Sequence, residues 1–394
     1  MSLSARLSVD IGGTFTDVVI EIGERRLSTK VLTTPRAPEE AVVSGTRLVL
    51  ERACLGFPDL AVFLHGRGGM HPAVTDADVW LGKIDPERFA GGSIPLEPGQ
   101  AEAALERAIG APLALTTEMA AYGVGEIVDE NMANAARVHA VERGVVAKEH
   151  TLVAFGGAAP LHAARLAEKL GISRIVIPPD AGVGSAIGFL RAPIAYELVR
   201  SRYMRLDRFD PDAANALVEG MTREARGLAE SAAGGEALEE RRAAFMRYRG
   251  QGHEIAVDLP VRPLQGGDQA GLRETFEAEY RRLFERHIPD AVIEVMGWTV
   301  WVGTCPAEPP ALPTPERRPG PRPIGTRAVF DGRSGRRTEV PLYARADFTP
   351  GATVAGPAII VEEGTSTFVS EAFDARLDGG GALVLERRSQ SDRR

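Results

Sequence analysis

The chain has 394 residues, 44% of them hydrophobic and 25% charged, with a formal net charge of −8. This is ordinary globular composition, long enough for two or three domains and a sizeable core. It excludes nucleic acid as the main partner, since no basic block or aromatic-basic interleaving occurs and the closing "RRSQSDRR" reads as a solvated tail. No apolar run reaches the ~18 residues of a membrane span, and the first residues lack a signal-peptide pattern. Two distant cysteines, Cys54 and Cys305, make neither a disulfide framework nor a zinc pattern, so a reducing cytoplasm is the expected setting.

In chain order, "RLSVDI", "DVVIEI" and "LSTKVLTT" predict a three-stranded antiparallel meander over residues 5–34. Residues 37–56 predict a helix and "DLAVFLHG" a fourth strand ending at His65. A Gly-, Pro- and Asp-rich stretch follows, expected to be a long loop with a short helix. Two helices are predicted from "GQAEAALERAIG" and "LTTEMAAYGVGEIVDENMANAARVHAVERGV". In the second, Val124, Val128, Met132, Ala135 and Val138 form one apolar stripe, expected to be core. Residues 151–190 read as two successive strand–turn–helix units, the clearest α/β block in the chain. Composition shifts near 205. Helices at 210–232 and 269–286 then alternate with strands near 242–260 and 291–303. A proline-rich stretch at 306–323 reads as a linker, and 326–388 as mostly β, with "LDGGGALV" a hairpin turn.

The turn "DIGGTFTD" carries chemistry. Gly12 and Gly13 let backbone N–H groups approach an anion, Thr14 and Thr16 add hydroxyls, and Asp10 can hold a hydrated Mg²⁺. The glycine spacing is neither that of a P-loop nor that of a dinucleotide fingerprint, and the same letters suit a plain Gly-Gly hairpin corner.

The motif resembles the first phosphate motif of the actin, hexokinase and heat-shock chaperone superfamily. Together with "KVLTTP", "GRGGMHPAVTDADVWLG", "NMANAARVHAVERG", "AFGGAAPLHAARLAEKLGISRIVIPP", "GSAIGFL", "RYRGQGHEI" and "AGPAIIVEEGTSTFV", the chain resembles the hydantoinase A / 5-oxoprolinase family. That family includes the ATP-using subunits of acetone and acetophenone carboxylases. The resemblance implies an α/β, ribonuclease-H-like nucleotide-binding lobe followed by a β-rich α+β C-terminal domain. The expected division is an N-terminal lobe over 1–66, a central remnant over 67–204 and a C-terminal domain over 205–394.

The resemblance also implies ATP and Mg²⁺ as cofactors, with Asp10 catalytic and metal-binding and Gly12, Gly13, Thr14 and Thr16 on phosphate. By the same analogy Gly156, Gly157 and Ala158 bind nucleotide, although a tight packing turn explains the same residues. The implied activity is a subunit of an ATP-dependent cyclic-amide hydrolase, with a hydantoinase B-type subunit as partner. The alternatives are a carboxylase-type subunit acting on a ketone and a non-catalytic scaffold for the B-type subunit. Family members are longer, and a second Asp-Gly-Gly-Thr hairpin is expected to be lost at a seam near His65–Gly66–Arg67.

Other candidates carry a structural reading beside the functional one. His71, Asp76 and Asp78 suit a cation, and equally a helix N-cap. His162 reads as a satisfied structural histidine. Glu126, Asp129 and Glu130 read as a solvated helix face, and Glu362 and Glu363 as rim acids. Neither cysteine has a neighbouring His in sequence that would make it a nucleophile.

Overall fold

The computed structural model describes residues 5–11, 15–22, 25–32, 41, 44–48, 52, 72–92, 96–305 and 314–388. The β-branched opening folds as expected. Strands β1 (Ala5–Ile11), β2 (Phe15–Ile22) and β3 (Arg25–Leu32) form an antiparallel meander in chain order. Its register sets Asp10 opposite Asp17, and Asp17 opposite Lys30. Val18, Val19 and Val31 are buried. Of the helix expected at 37–56, residues 41, 44–48 and 52 are helical. The strand expected at 59–66 lies outside the described residues.

Three helices then pack together. The short α1 (Val74–Trp80) starts after Ala73, whose backbone N–H is accepted by Asp76 at 2.7 Å. After α2 (Pro98–Leu105) comes the long α3 (Thr117–Glu142), capped by Thr116, whose hydroxyl accepts from the Met119 N–H. The third is α4 (Ala159–Leu170), and α3 packs against both α1 and α4. The predicted stripe on α3 is corrected. Its buried face is Ala121, Gly125, Asp129 and Ala133, whereas Val124, Val128 and Met132 are half-buried and Ala135 and Val138 are exposed. Small residues win that face because two neighbouring helices come close enough to exclude larger ones.

The α/β block is as read: β4 (Leu152–Val153) runs parallel to β5 (Arg174–Ile177), with α4 between them and helix α5 (Gly184–Arg191) after them. Val19 of the meander packs on Val183, Ala186 and Leu190.

The chain then leaves this body. Residues Arg191–Pro309 form one compact unit, and Met1–Leu190 with Pro310–Arg394 form the other. These compact units are a division by contacts and cut across the expected sequence segments. In the second unit, β6 (Ala195–Arg205), β7 (Leu238–Tyr248), β8 (Ile255–Leu259) and β9 (Ile293–Thr304) make an antiparallel sheet in the order β6-β9-β7-β8. β6 has no counterpart among the strands expected from the sequence. Helices α6 (Pro211–Ala232) and α7 (Asp268–Phe284) share a core with this sheet. Asp210 caps α6, and Ala214, Val218, Met221, Ala225 and Ala229 recur on its buried face at helical spacing. Trp298, Phe276 and Tyr248 are almost fully buried there, each worth roughly 1.5–3 kcal/mol of apolar burial or more.

In the first unit the chain after residue 310 returns as strands. These are β10 (Arg318–Pro319), β11 (Gly325–Asp331), β12 (Arg336–Ala344), β13 (Ala352–Ala355), β14 (Ala358–Val361), β15 (Ser366–Val369), β16 (Phe373–Leu377) and β17 (Leu383–Arg387). One sheet has the order β11-β12-β14-β15, and the other β10-β13-β16-β17-β5-β4. β17 pairs antiparallel with β5, so the last strands complete the sheet begun at residue 152. The expected hairpin at 377–384 is present, with the Asp378 carboxylate accepting from the Gly380 and Ala382 amides. Among the described residues no helix is long and apolar enough to cross a membrane.

Candidate functional site

In the first unit, a cavity of about 600 Å³ is lined by Lys30 of the meander, Asp78 of α1, Gly157 and Ala158 before α4, Arg327 of β11, and residues 361–366. This volume lies in the range of small-molecule sites.

The glycine turn is held by its neighbours. Gly156 takes φ +108°, a region that favours glycine, and its N–H donates to the Ala181 carbonyl at 2.6 Å. The Gly157 carbonyl accepts from the Thr365 hydroxyl at 2.8 Å. Gly182 lies so close to Gly364 that a Cβ on it would sit 2.5 Å from the Gly364 carbonyl oxygen. At Gly157 there is room: a Cβ would meet Lys30 Nζ only at 3.8 Å. Lys30 Nζ in turn donates to the Asp17 carboxylate. The meander and the glycine turn, far apart in sequence, thus meet at one wall of the cavity. Ala158 is the N-cap of α4, an end that favours negative charge, although Pro160 has no N–H and the Leu161 N–H donates to the Ala158 carbonyl at 3.0 Å.

Behind another wall lies a buried charged cluster. His162 Nδ1 is 2.9 Å from Asp129 Oδ1, and its Nε2 is 3.1 Å from Asp78 Oδ2. Lys83 Nζ stands 3.3 Å from Asp78 Oδ1. The side chains of His162, Asp78 and Asp129 are at most 4% exposed. Two ionised acceptors on two ring nitrogens require both nitrogens to donate, so His162 is an imidazolium. Burial opposes that charge, but Asp129 and Asp78 outweigh it and raise the His162 pKa to about 9. Burial likewise pulls the Asp78 carboxyl up, and His162 and Lys83 overcome it to hold Asp78 below the ordinary range.

The other acids at the cavity are matched by cations. Asp85 accepts from Arg327 at 2.7 Å, Glu362 from Arg345 at 2.8 Å, and Glu363 from Arg52 at 2.8 Å. Burial pushes the Glu362 carboxyl up despite Arg345. Glu363 is an exposed acid, whereas the Glu362 side chain is only 16% exposed and is no surface group.

The expected site residues fall out unevenly. Gly157 and Ala158 line the cavity, and Gly156 anchors their turn. Thr16 is fully buried opposite Ile11. Gly12, Gly13 and Thr14, the Asp10 side chain, Cys54, His65, Gly66 and His71 lie outside what the structure describes. Asp76 and Asp78 do not share a cation: Asp76 closes the start of α1 and Asp78 pairs with His162 and Lys83. Among the described residues no group of three or more His, Cys, Asp or Glu side chains is arranged to hold a metal ion. The solvated-face reading of α3 holds for Glu130, whose side chain is 44% exposed, and is corrected for Asp129. Asp129 is buried, Glu126 binds Arg165 and Lys169, and Glu130 binds Arg137 and Lys169. The Arg165 hydrogen bonds, against some burial, hold Glu126 down at about 2. Cys305 is exposed. Sequence reasoning missed Lys30, Asp85 and Arg327. Only Lys30 left a trace, because meander register sets it beside Asp17.

Comparison with known proteins agrees with this architecture. The hydantoinase/oxoprolinase family model matches residues 3–198, and the hydantoinase/oxoprolinase C-terminal domain matches residues 221–387. The chain is 31% identical over 327 residues to the caprolactamase subunit alpha of Pseudomonas jessenii, covering 82% of this chain and 47% of that protein. It is 31% identical over 361 residues to the acetophenone carboxylase gamma subunit of Aromatoleum aromaticum, covering 87% and 48%. The chain therefore spans about half the length of these curated relatives. The crystal structure of the ATP-dependent caprolactamase from Pseudomonas jessenii superposes with a TM-score of 0.68 at 25% identity, over 98% of this chain and 59% of that one. Two matched domains in order, over a fold shared along nearly the whole chain, place this protein in the hydantoinase/oxoprolinase family.

Proposed function

We propose that the chain is an ATP-using subunit of a hydrolase that opens cyclic amides, acting with a hydantoinase B-type partner. The observation that carries this reading is the convergence of the Gly156–Ala158 turn, the N-terminus of α4 and Lys30 on one cavity of about 600 Å³. A polyphosphate is favoured by close backbone approach, a helix N-terminus and a point charge, and this wall combines them. The acids around the cavity are each paired with a cation, so an anionic ligand meets little net repulsion. The residues present thus fit the phosphates of ATP. Mg²⁺ is assigned on this reading to Asp10 with water and phosphate, and residues 12–16 to phosphate. Bound ATP would supply a phosphoryl group that, on the amide oxygen, makes the amide carbon a better electrophile for the water whose attack opens the C–N bond. The chain's own residues would bind, orient and exclude water, which supplies most of the catalysis in phosphoryl transfer.

The likeness to the acetophenone carboxylase subunit supports a second reading, in which the activated oxygen belongs to a ketone. A scaffold role for the B-type partner is the third.

Calorimetric titration with ATP–Mg²⁺ is the test. Binding is expected in the micromolar range, with loss of about tenfold or more in Gly157→Leu, which fills the approach beside Lys30, and in Asp10→Ala. A folded sample that binds no nucleotide overturns the enzymatic readings. Nucleotide turnover with a B-type partner, stimulated by a cyclic amide or by a ketone, separates the first reading from the second.

A further inference from the structure

β4 is the outermost strand on one side of the six-stranded sheet, and no strand pairs with its outer edge among the described residues. The Ala154 and Gly156 N–H groups donate to the Val176 and Ala181 carbonyls, and the register sets Val153 opposite Val176. In a parallel ladder the hydrogen-bonding groups of successive residues turn to alternate sides. Thr151, Val153 and Phe155 therefore turn their N–H and C=O groups outward. Neither Thr151 nor Phe155 makes a backbone hydrogen bond among the described residues. The edge is also apolar: Val153 is 54% exposed and Phe155 49%, and residues 151–155 carry no charge.

Proteins guard open edges with charged residues, proline or a covering element. The other outermost strands follow that rule. β1, β3, β6, β8, β10 and β11 each carry a charged residue, and β15 packs against α4. Among the described edges, that of β4 alone has neither guard. What fits there is fixed by the edge itself. Backbone donors and acceptors at every second residue require an extended strand, and the flanking Val153 and Phe155 require it to be apolar. A second copy of β4 meets both conditions. About a two-fold axis through Val153, antiparallel pairing sets Val153 opposite the partner's Val153 and Thr151 opposite the partner's Phe155. Every outward group then finds its complement, on the order of six hydrogen bonds, since each such pair exchanges two.

We propose that the outer edge of β4 is a homodimer interface, at which two copies of this chain join their six-stranded sheets edge to edge. The Val153 pair on the axis and the two Phe155–Thr151 pairs beside it add cross-strand side-chain contact to the backbone bonds. Neither Val153 nor Phe155 lines the 600 Å³ cavity, so the interface stands independently of the nucleotide reading.

The test is sedimentation equilibrium of the purified chain, without nucleotide, over about 1 to 100 μM. A dimer with a dissociation constant in the micromolar range is expected. Val153→Lys places a charge on each side of the axis. Val153→Pro removes the outward N–H and leaves the bonds to β5 in place. Each is expected to weaken association by about tenfold or more, with circular dichroism reporting whether the variant folds. A chain that stays monomeric across the range overturns the proposal, as does a dimer whose affinity is unchanged in either folded variant. Hydrogen exchange on the unaltered chain reads the same edge where a variant fails to fold. Peptides covering 151–155 are expected to gain protection as concentration rises through the dissociation constant. A dimer that forms without protecting 151–155 is joined elsewhere and overturns the assignment.

Discussion

Both compact units bury apolar side chains, but the helical cluster of one differs from the core of the other. In Arg191–Pro309 the helices present Met221, Leu272 and Phe276 to a sheet centred on Trp298 and Val300. Its carboxylates stay at the margin or pair with nearby arginines, as Glu240 does with Arg242 and Arg226. In the other unit, α1, α3 and α4 meet through alanine and glycine around Asp78, His162 and Asp129. Large apolar side chains make a stable body that needs no ligand. Small residues around a buried ionic cluster contribute less burial and hold charges in fixed places. A hydrophobic replacement of such a cluster is often neutral or stabilising, so the cluster is better explained by position than by stability.

That contrast can be broken. The largest effects expected are from Phe276→Ala and His162→Leu, each costing about 3–5 kcal/mol, by opposite causes. The first leaves a cavity and should cost the same at pH 7 and pH 5. The second removes the imidazolium between Asp78 and Asp129 and leaves Lys83 beside Asp78; because His162 helps hold the Asp78 carboxyl below the ordinary range, its cost should shrink at pH 5. Hydrogen exchange in peptides from 268–304 and from 117–170 reads the two units separately. Equal pH response in both would erase the distinction.

The next effect is pH itself. The folded pKa of His162 is about 9, above an unfolded value near 6.5. Its contribution is therefore fully present below about pH 6.5 and is lost as pH rises through about 9, on the order of 3 kcal/mol. After correction for intrinsic exchange rates, protection should fall between pH 7 and 9.5 around 117–170 and hold around 268–304.

Smaller again is Gly182→Val, which pushes a branched side chain onto the Gly364 backbone and should cost about 1–3 kcal/mol by urea denaturation. Smallest is Gly157→Ala, where the space is open: a midpoint change worth less than about 0.5 kcal/mol is expected. A large loss at Gly157 would make it a packing glycine and weaken its assignment to a ligand.

Much of the first unit was legible because its signals are local. The meander, the two strand–turn–helix units and the Asp378 hairpin each follow from residues within a few positions of one another. The family resemblance was equally legible, since its motifs are short and ordered. The charged cluster was not. Asp129 sits among polar neighbours and reads as surface, and only the recurrence of Ala121, Gly125 and Ala133 at four-residue intervals marks its face as buried. Asp85 and Arg327 lie 242 positions apart, and no local pattern joins them. β6 escaped because its residues are largely exposed and polar, without the alternation that marks a half-buried strand. The return of 318–387 to the earlier sheet is a pairing of distant strands, which hydrophobic period cannot reveal.

The order β10-β13-β16-β17-β5-β4 also bears on how the protein is made. A nascent chain that has reached residue 310 carries every strand and helix of the Arg191–Pro309 body, but only β4 and β5 of this sheet. The later-starting body can therefore finish on the ribosome while the earlier one waits with β5 unpaired along the side that β17 will cover. Translation speed over codons 310–387 then sets how long that side stays open to the wrong strand, a hazard typical of sheets closed by late, distant pairing.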